Sequence, residues 1–88
     1  MLSKTLKVLN ESGIHARPAA MVVEICCRFQ SRITFVKDGM RANAKSIMNI
    51  MLLAAEFGAE ILVEAEGADE VEALAALEHL FAERFHRE

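Results

Sequence analysis

Apolar residues recur along this chain with two different periods. Residues 2–8, LSKTLKV, alternate loosely and predict a first strand. Gly13 interrupts the pattern, and from Ala16 to about Arg28 the spacing turns helical. At about 100° per residue, Ala19, Val22, Val23 and Cys26 share one arc, the expected core-facing side. Arg17, Ala20, Met21, Glu24 and Arg28 occupy the opposite arc, with Cys27 at its edge. Pro18 fits the first turn, where its missing N–H costs nothing.

Alternation returns at 32–37, RITFVK, with Ile33, Phe35 and Val36 apolar. Asp38-Gly39 is a hairpin signal, and 40–43 is the expected returning strand. Ser46 then precedes a short apolar segment, IMNIMLLAA, that ends near Gly58. Residues 60–66, EILVEAE, predict a fourth strand. Asp69 followed by Glu72 matches a capping box in its Asp form, so the last helix is expected to start at Glu70. Leu74, Leu77, Phe81 and Phe85 fall on one face of that helix. The order is β-α-β-β-α-β-α. Helices packed on one face of an antiparallel sheet make a two-layer α+β domain.

Size and charge narrow the classes. The chain has 88 residues, enough for one small domain over residues 1–88. Ten Lys and Arg against 13 Asp and Glu give a net charge of −3, which argues against a nucleic-acid binder with its basic stripe. The longest apolar run, Ile50 to Ala55, is far short of the roughly 20 residues of a membrane span, so no membrane insertion is expected. The start, MLSKTLKVLN, lacks the apolar core of a signal peptide. Cys26 and Cys27 are adjacent and have no other cysteine to pair with, which suits reduced thiols in a cytoplasmic protein. His15, His79 and His86 match no metal-ligand spacing.

Chemistry is concentrated in Ser12–Ala20, SGIHARPAA. With His15 as N-cap, the N–H groups of Ala16 and Arg17 are among the helix's unbonded donors, and the helix dipole favours an anion there. Arg17 adds a forked cationic donor. An imidazole is a good nucleophile near neutral pH, so the set suits a phosphoryl group on a ring nitrogen. By spacing alone the plainer reading stays ahead: a loop histidine beside a solvated arginine. Ser46 is a favoured N-cap, and on local physics a plain cap, although phosphate there is tolerated. The apolar segment Ile47–Leu53 has two readings, an exposed partner surface or a buried packing element. Cys26 reads as core; His79 and His86 read as solvated.

SGIHARPAA resembles the active-site motif of the HPr family, the histidine-containing phosphocarriers of the phosphoenolpyruvate-dependent sugar phosphotransferase system. Lys45-Ser46-Ile47-Met48, Gly58-Ala59-Glu60-Ile61 and Gly67-Ala68-Asp69-Glu70 extend the likeness over nearly the full chain. The resemblance implies an open-faced sandwich, a four-stranded antiparallel sheet in order 1-4-2-3 with three helices on one face. It implies that His15 accepts phosphoryl at Nδ1 from phosphorylated enzyme I and passes it to sugar-specific IIA domains. Arg17 supports the phosphohistidine, with Ala16 as a backbone N–H donor. Ser46 matches the position that an HPr kinase/phosphorylase modifies in many bacteria. Ala20, Glu24, Cys27, Ile47, Met48 and Met51 fall on the partner surface.

A carrier of this kind is implied to be monomeric and cytoplasmic. It holds a transient phosphohistidine, is no free-standing catalyst, and needs no cofactor or metal of its own. Glu24, Cys27, Asn49, Leu52 and Phe57 depart from well-known members and bear on partner choice. Two alternatives remain: a binding module governed by Ser46 with little sugar transport, and a carrier of the nitrogen-related branch, against which KSIM leans.

Overall fold

The computed structural model describes residues 1–87. The elements follow in the order β1 (Leu2–Lys7), α1 (Ala16–Cys26), β2 (Arg32–Lys37), β3 (Met40–Asn43), α2 (Ile47–Leu52), β4 (Glu60–Glu66), α3 (Glu70–Ala82) and α4 (Arg84–Arg87). The described strands form one antiparallel sheet in the order β1-β4-β2-β3, the 1-4-2-3 order that the family resemblance implies.

Register follows from alternation. Leu6 pairs with Ile61, and Val63 pairs with Phe35, which in turn pairs with Ala42. All of these are buried, together with Ile33 and Ala65, so one face of the sheet is a continuous apolar surface. The other face carries Thr5, Leu62, Val36 and Arg41 across the strands and is open, with Arg41 Nη2 2.6 Å from Glu64 Oε1. The β2–β3 turn uses Asp38 and Gly39 at φ 51° and 80°, the left-handed pair that a tight hairpin requires.

The helices supply the second layer. Ala19, Val22 and Cys26 of α1, Ile50 of α2, and Leu74, Leu77, Leu80 and Phe81 of α3 are buried. Phe81 meets Phe35 of the sheet edge to face, with ring centroids 6.0 Å apart. Lys4, on the inward side of the edge strand, pairs with Glu78 of α3.

Several boundaries and contacts differ from expectation. β1 ends at Lys7, although Val8 remains buried and exchanges 2.8 Å backbone bonds with Gly58 and Ala59. α1 ends at Cys26, short of Arg28, because Arg28 and Phe29 bond back three residues to Ile25 and Cys26. Val23 is only half-buried. α2 stops at Leu52, well before Gly58, and the chain then turns through Ala54 at φ 50°.

The Asp69 capping box does not form. The Asp69 carboxylate instead accepts from the backbone N–H groups of Gln30 and Ser31, each at 2.9 Å, and from the Ser31 hydroxyl. Glu70 reaches back to the Gly67 N–H at 3.0 Å. Phe85 does not lie on α3. That helix ends at Ala82, and Arg84, Phe85 and His86 take left-handed backbone angles that return Phe85 to the core, 5.0 Å from Phe81. The short α4 adds one element to the three expected helices.

Candidate functional site

His15 is the N-cap of α1, with extended backbone angles (φ −100°, ψ −160°). Its carbonyl accepts the first helical bond, from Ala19 N at 2.9 Å. Its imidazole makes no capping bond to the helix, unlike the usual Ser or Asp cap. The ring is exposed, as are Ala16 and Arg17, while Pro18 and Ala19 behind them are buried. The first turn carries no acidic residue to offset the positive end of the helix dipole.

The approach to His15 is held tightly. A turn runs from Asn10 to Gly13, closed by Gly13 N–H donating to Asn10 O at 3.1 Å. Gly13 has φ 72°, and a Cβ there would lie 2.6 Å from the Ala55 carbonyl oxygen, so only glycine fits. Ile14 N–H donates to that same Ala55 oxygen at 2.9 Å, and the Ile14 side chain is buried. Asn10 Nδ2 donates to the Gly13 carbonyl at 2.5 Å. Sequence reasoning passed over Asn10 and Ala55. An Asn three residues before a Gly is a turn signal that pointed at the first; the second is remote in sequence and left no local mark.

Ser46 caps α2 as expected. Its hydroxyl oxygen accepts from Asn49 N at 3.3 Å and from Asn49 Nδ2 at 3.1 Å, and it is half-buried. Asn49 thereby closes the cap and also accepts from Asn43 N at 3.3 Å. Beside it, Lys45 Nζ donates to the Phe29 carbonyl at 2.7 Å.

The apolar segment divides by face. Ile50 and Leu53 are buried, while Ile47, Met48, Met51 and Leu52 are exposed, Met48 by 75% and Leu52 by 69%. Phe57 is 61% exposed as well, and it follows Ala55 and Glu56, whose backbone lies against Gly13. The exposed-patch reading therefore describes this segment. Ala20 and Glu24 of α1 and Cys27 at its C-cap are exposed too, and Glu24 lies 3.6 Å from Arg28.

The cysteines separate cleanly. Both are free, Cys26 buried and Cys27 exposed. Burial pushes the Cys26 thiol up to about 12, with the Cys27 neighbour adding and Lys45 partly opposing, so it is an inert core group. His79 and His86 are exposed and lie 3.7 and 3.9 Å from the two oxygens of Glu83. Among the described residues no helix is long and apolar enough to cross a membrane.

Comparison with known proteins bears on the whole chain. Residues 2–83 match the family PTS-HPr, described as PTS HPr component phosphorylation site. Phosphocarrier protein HPr of Treponema pallidum (strain Nichols) is 51% identical over 88 residues, all of both chains. The crystal structure of HPr-C-His from Thermoanaerobacter tengcongensis superposes with a TM-score of 0.96 at 43% identity, covering 100% of this chain and 99% of that one. A phosphocarrier protein HPr from Bacillus anthracis gives 0.87 at 44% identity, over 91% and 95% of the two chains.

Proposed function

The chain belongs to the HPr family, the phosphocarriers of the phosphotransferase system, and from that premise we propose that His15 is the residue that carries its phosphoryl group. The observation that carries this reading is the exposed His15 ring at the α1 N-cap, left out of the capping bonds and placed over a first turn without acidic residues.

The transfer is a displacement at phosphorus. The lone pair on Nδ1 of neutral His15 attacks the phosphoryl group of phosphorylated enzyme I. The new N–P bond forms as the bond to the donor nitrogen breaks, and the donor imidazole leaves with that electron pair. Nε2 keeps its proton. Backbone N–H groups at the start of α1, Ala16 among them, and the Arg17 guanidinium face the phosphoryl oxygens and stabilise their charge. In a second displacement of the same kind, an imidazole nitrogen of a sugar-specific IIA domain attacks that phosphorus, and the His15 Nδ1–P bond breaks with its electron pair returning to His15. Barrier lowering comes mainly from pre-orientation, since the N-cap fixes the ring's backbone before the partner arrives.

The exposed residues of α1 and α2 serve as the docking surface in this reading. Met48, Met51 and Ile47 provide the apolar centre, and two methionines suit a surface that meets more than one partner. Ala20, Glu24 and Cys27 form its α1 side. Ser46 borders the same patch. A phosphate placed there by an HPr kinase/phosphorylase adds about two negative charges beside Ile47 and Met48 and opposes docking of an acidic partner. The carrier acts as a monomer in the cytoplasm.

Transfer kinetics from phosphorylated enzyme I test the assignment. His15→Ala takes no phosphoryl, Arg17→Ala takes it more slowly, and Met48→Asp raises KM with little change in kcat. A His15→Ala protein that still accepts phosphoryl would overturn it.

A further inference from the structure

Near His15 the phosphoryl assignment leaves a buried polar side chain unused. Asn10 is 1% exposed, it lies five residues before His15, and its Oδ1 has no partner among the described residues. A buried side chain with an unsatisfied oxygen is unfavourable, and an apolar residue of similar size would avoid the penalty. What Asn10 does provide is its other atom. Nδ2 donates to the Gly13 carbonyl at 2.5 Å.

That carbonyl belongs to the peptide unit joining Gly13 to Ile14. The N–H of the same unit donates to Ala55 O at 2.9 Å. Both polar groups of one peptide plane are therefore held, the C=O by a side chain from the turn and the N–H by the segment after α2. The main chain of Asn10 adds a third hold, accepting from Gly13 N at 3.1 Å. A planar peptide gripped at both ends cannot rotate about its flanking φ and ψ. The residue after Ile14 is His15, the N-cap of α1.

Resting on the reading of His15 as phosphoryl acceptor, we propose that Asn10 is a positioning residue for the transfer: its side-chain amide fixes the Gly13–Ile14 peptide plane and thereby the direction in which the His15 imidazole leaves the backbone. It touches neither the phosphoryl group nor the partner. Its effect is on the geometry of attack, not on docking.

The test is steady-state transfer from phosphorylated enzyme I to the wild type, Asn10→Asp and Asn10→Ala, with rates expressed per folded molecule. Asn10→Asp keeps the shape and removes the donor; Asn10→Ala removes the donor without adding a charge, and serves if the first variant folds poorly. The saturating rate is expected to fall about ten- to a hundredfold, with KM unchanged within about twofold. Amide exchange of Ile14 is expected to quicken in the same folded variants while the β4 amides keep their protection. Wild-type rates per folded molecule in both variants, or a rise in KM alone, would overturn the proposal. A wild-type chain that takes no phosphoryl would overturn the His15 reading, and this one with it.

Discussion

The N–H of Ile14 donates to the carbonyl of Ala55 at 2.9 Å, tying the residue before the exposed imidazole to the segment that follows α2. Gly13 makes this approach possible. Its φ of 72° and the 2.6 Å that would separate a Cβ from Ala55 O leave no room for a side chain. Gly13→Ala is therefore expected to lose about 2 kcal/mol or more of stability, from the left-handed backbone and the clash together. Urea unfolding measures it. A loss under about 0.5 kcal/mol would show that the loop moves aside.

Ala54 stands one residue before this contact, at φ 50°. A left-handed non-glycine residue costs roughly 1–2 kcal/mol. Replacing it by glycine frees the unfolded chain and gives back about 0.4–1 kcal/mol. The first effect is the larger, so Ala54→Gly is expected to stabilise the protein by up to about 1 kcal/mol. A lowered melting temperature in that variant would contradict the account.

Asp69 predicts a pH dependence. The Ser31 hydroxyl, the Gln30 N–H and the Ser31 N–H all donate to its carboxylate and hold its pKa below the ordinary value. A folded pKa below the unfolded one means that the stabilisation is complete above the unfolded value, about 3.9, and is lost as pH falls through the folded one. Comparing the wild type with Asp69→Asn isolates this group. The stability gap is expected to hold steady from neutral pH down to about 5 and to close at lower pH. A gap that persists unchanged at pH 2 would sink the assignment.

Ser46 is a working cap whatever else modifies it. Removing its oxygen leaves the Asn49 N–H and Nδ2 without their acceptor. Ser46→Ala is expected to lose about 1 kcal/mol on thermal or urea unfolding, while phosphoryl transfer to the unmodified protein keeps its rate. Equal stability of the two proteins would show that the α2 cap contributes nothing.

What could be read in advance was what depends on neighbours in sequence. β2, β3 and β4 fall at 32–37, 40–43 and 60–66 as expected, because each puts alternate side chains, Ile33 and Phe35 or Ile61 and Val63, into one core. His15 and Ser46 as helix caps are local features as well. Contacts between distant segments left no such trace. Asp69 looked like a cap because Glu72 follows at the right interval, but its carboxylate is taken by Gln30 and Ser31, nearly forty residues away. Phe85 has helical spacing from Phe81 and reaches the core by a left-handed turn instead. In the same way, the surroundings of His15 were legible as residue types. The clasp of Asn10 and Ala55 around the Gly13–Ile14 peptide was not.

One measurement tests the phosphocarrier account of His15 most directly. The protein is incubated with phosphoenolpyruvate and enzyme I, and its intact mass is recorded before and after brief acid treatment. The account predicts a single added phosphoryl group, removed by acid, and absent in a folded His15→Ala protein whose melting temperature stays near that of the wild type. An added group that survives acid, or one that His15→Ala also acquires, would contradict it.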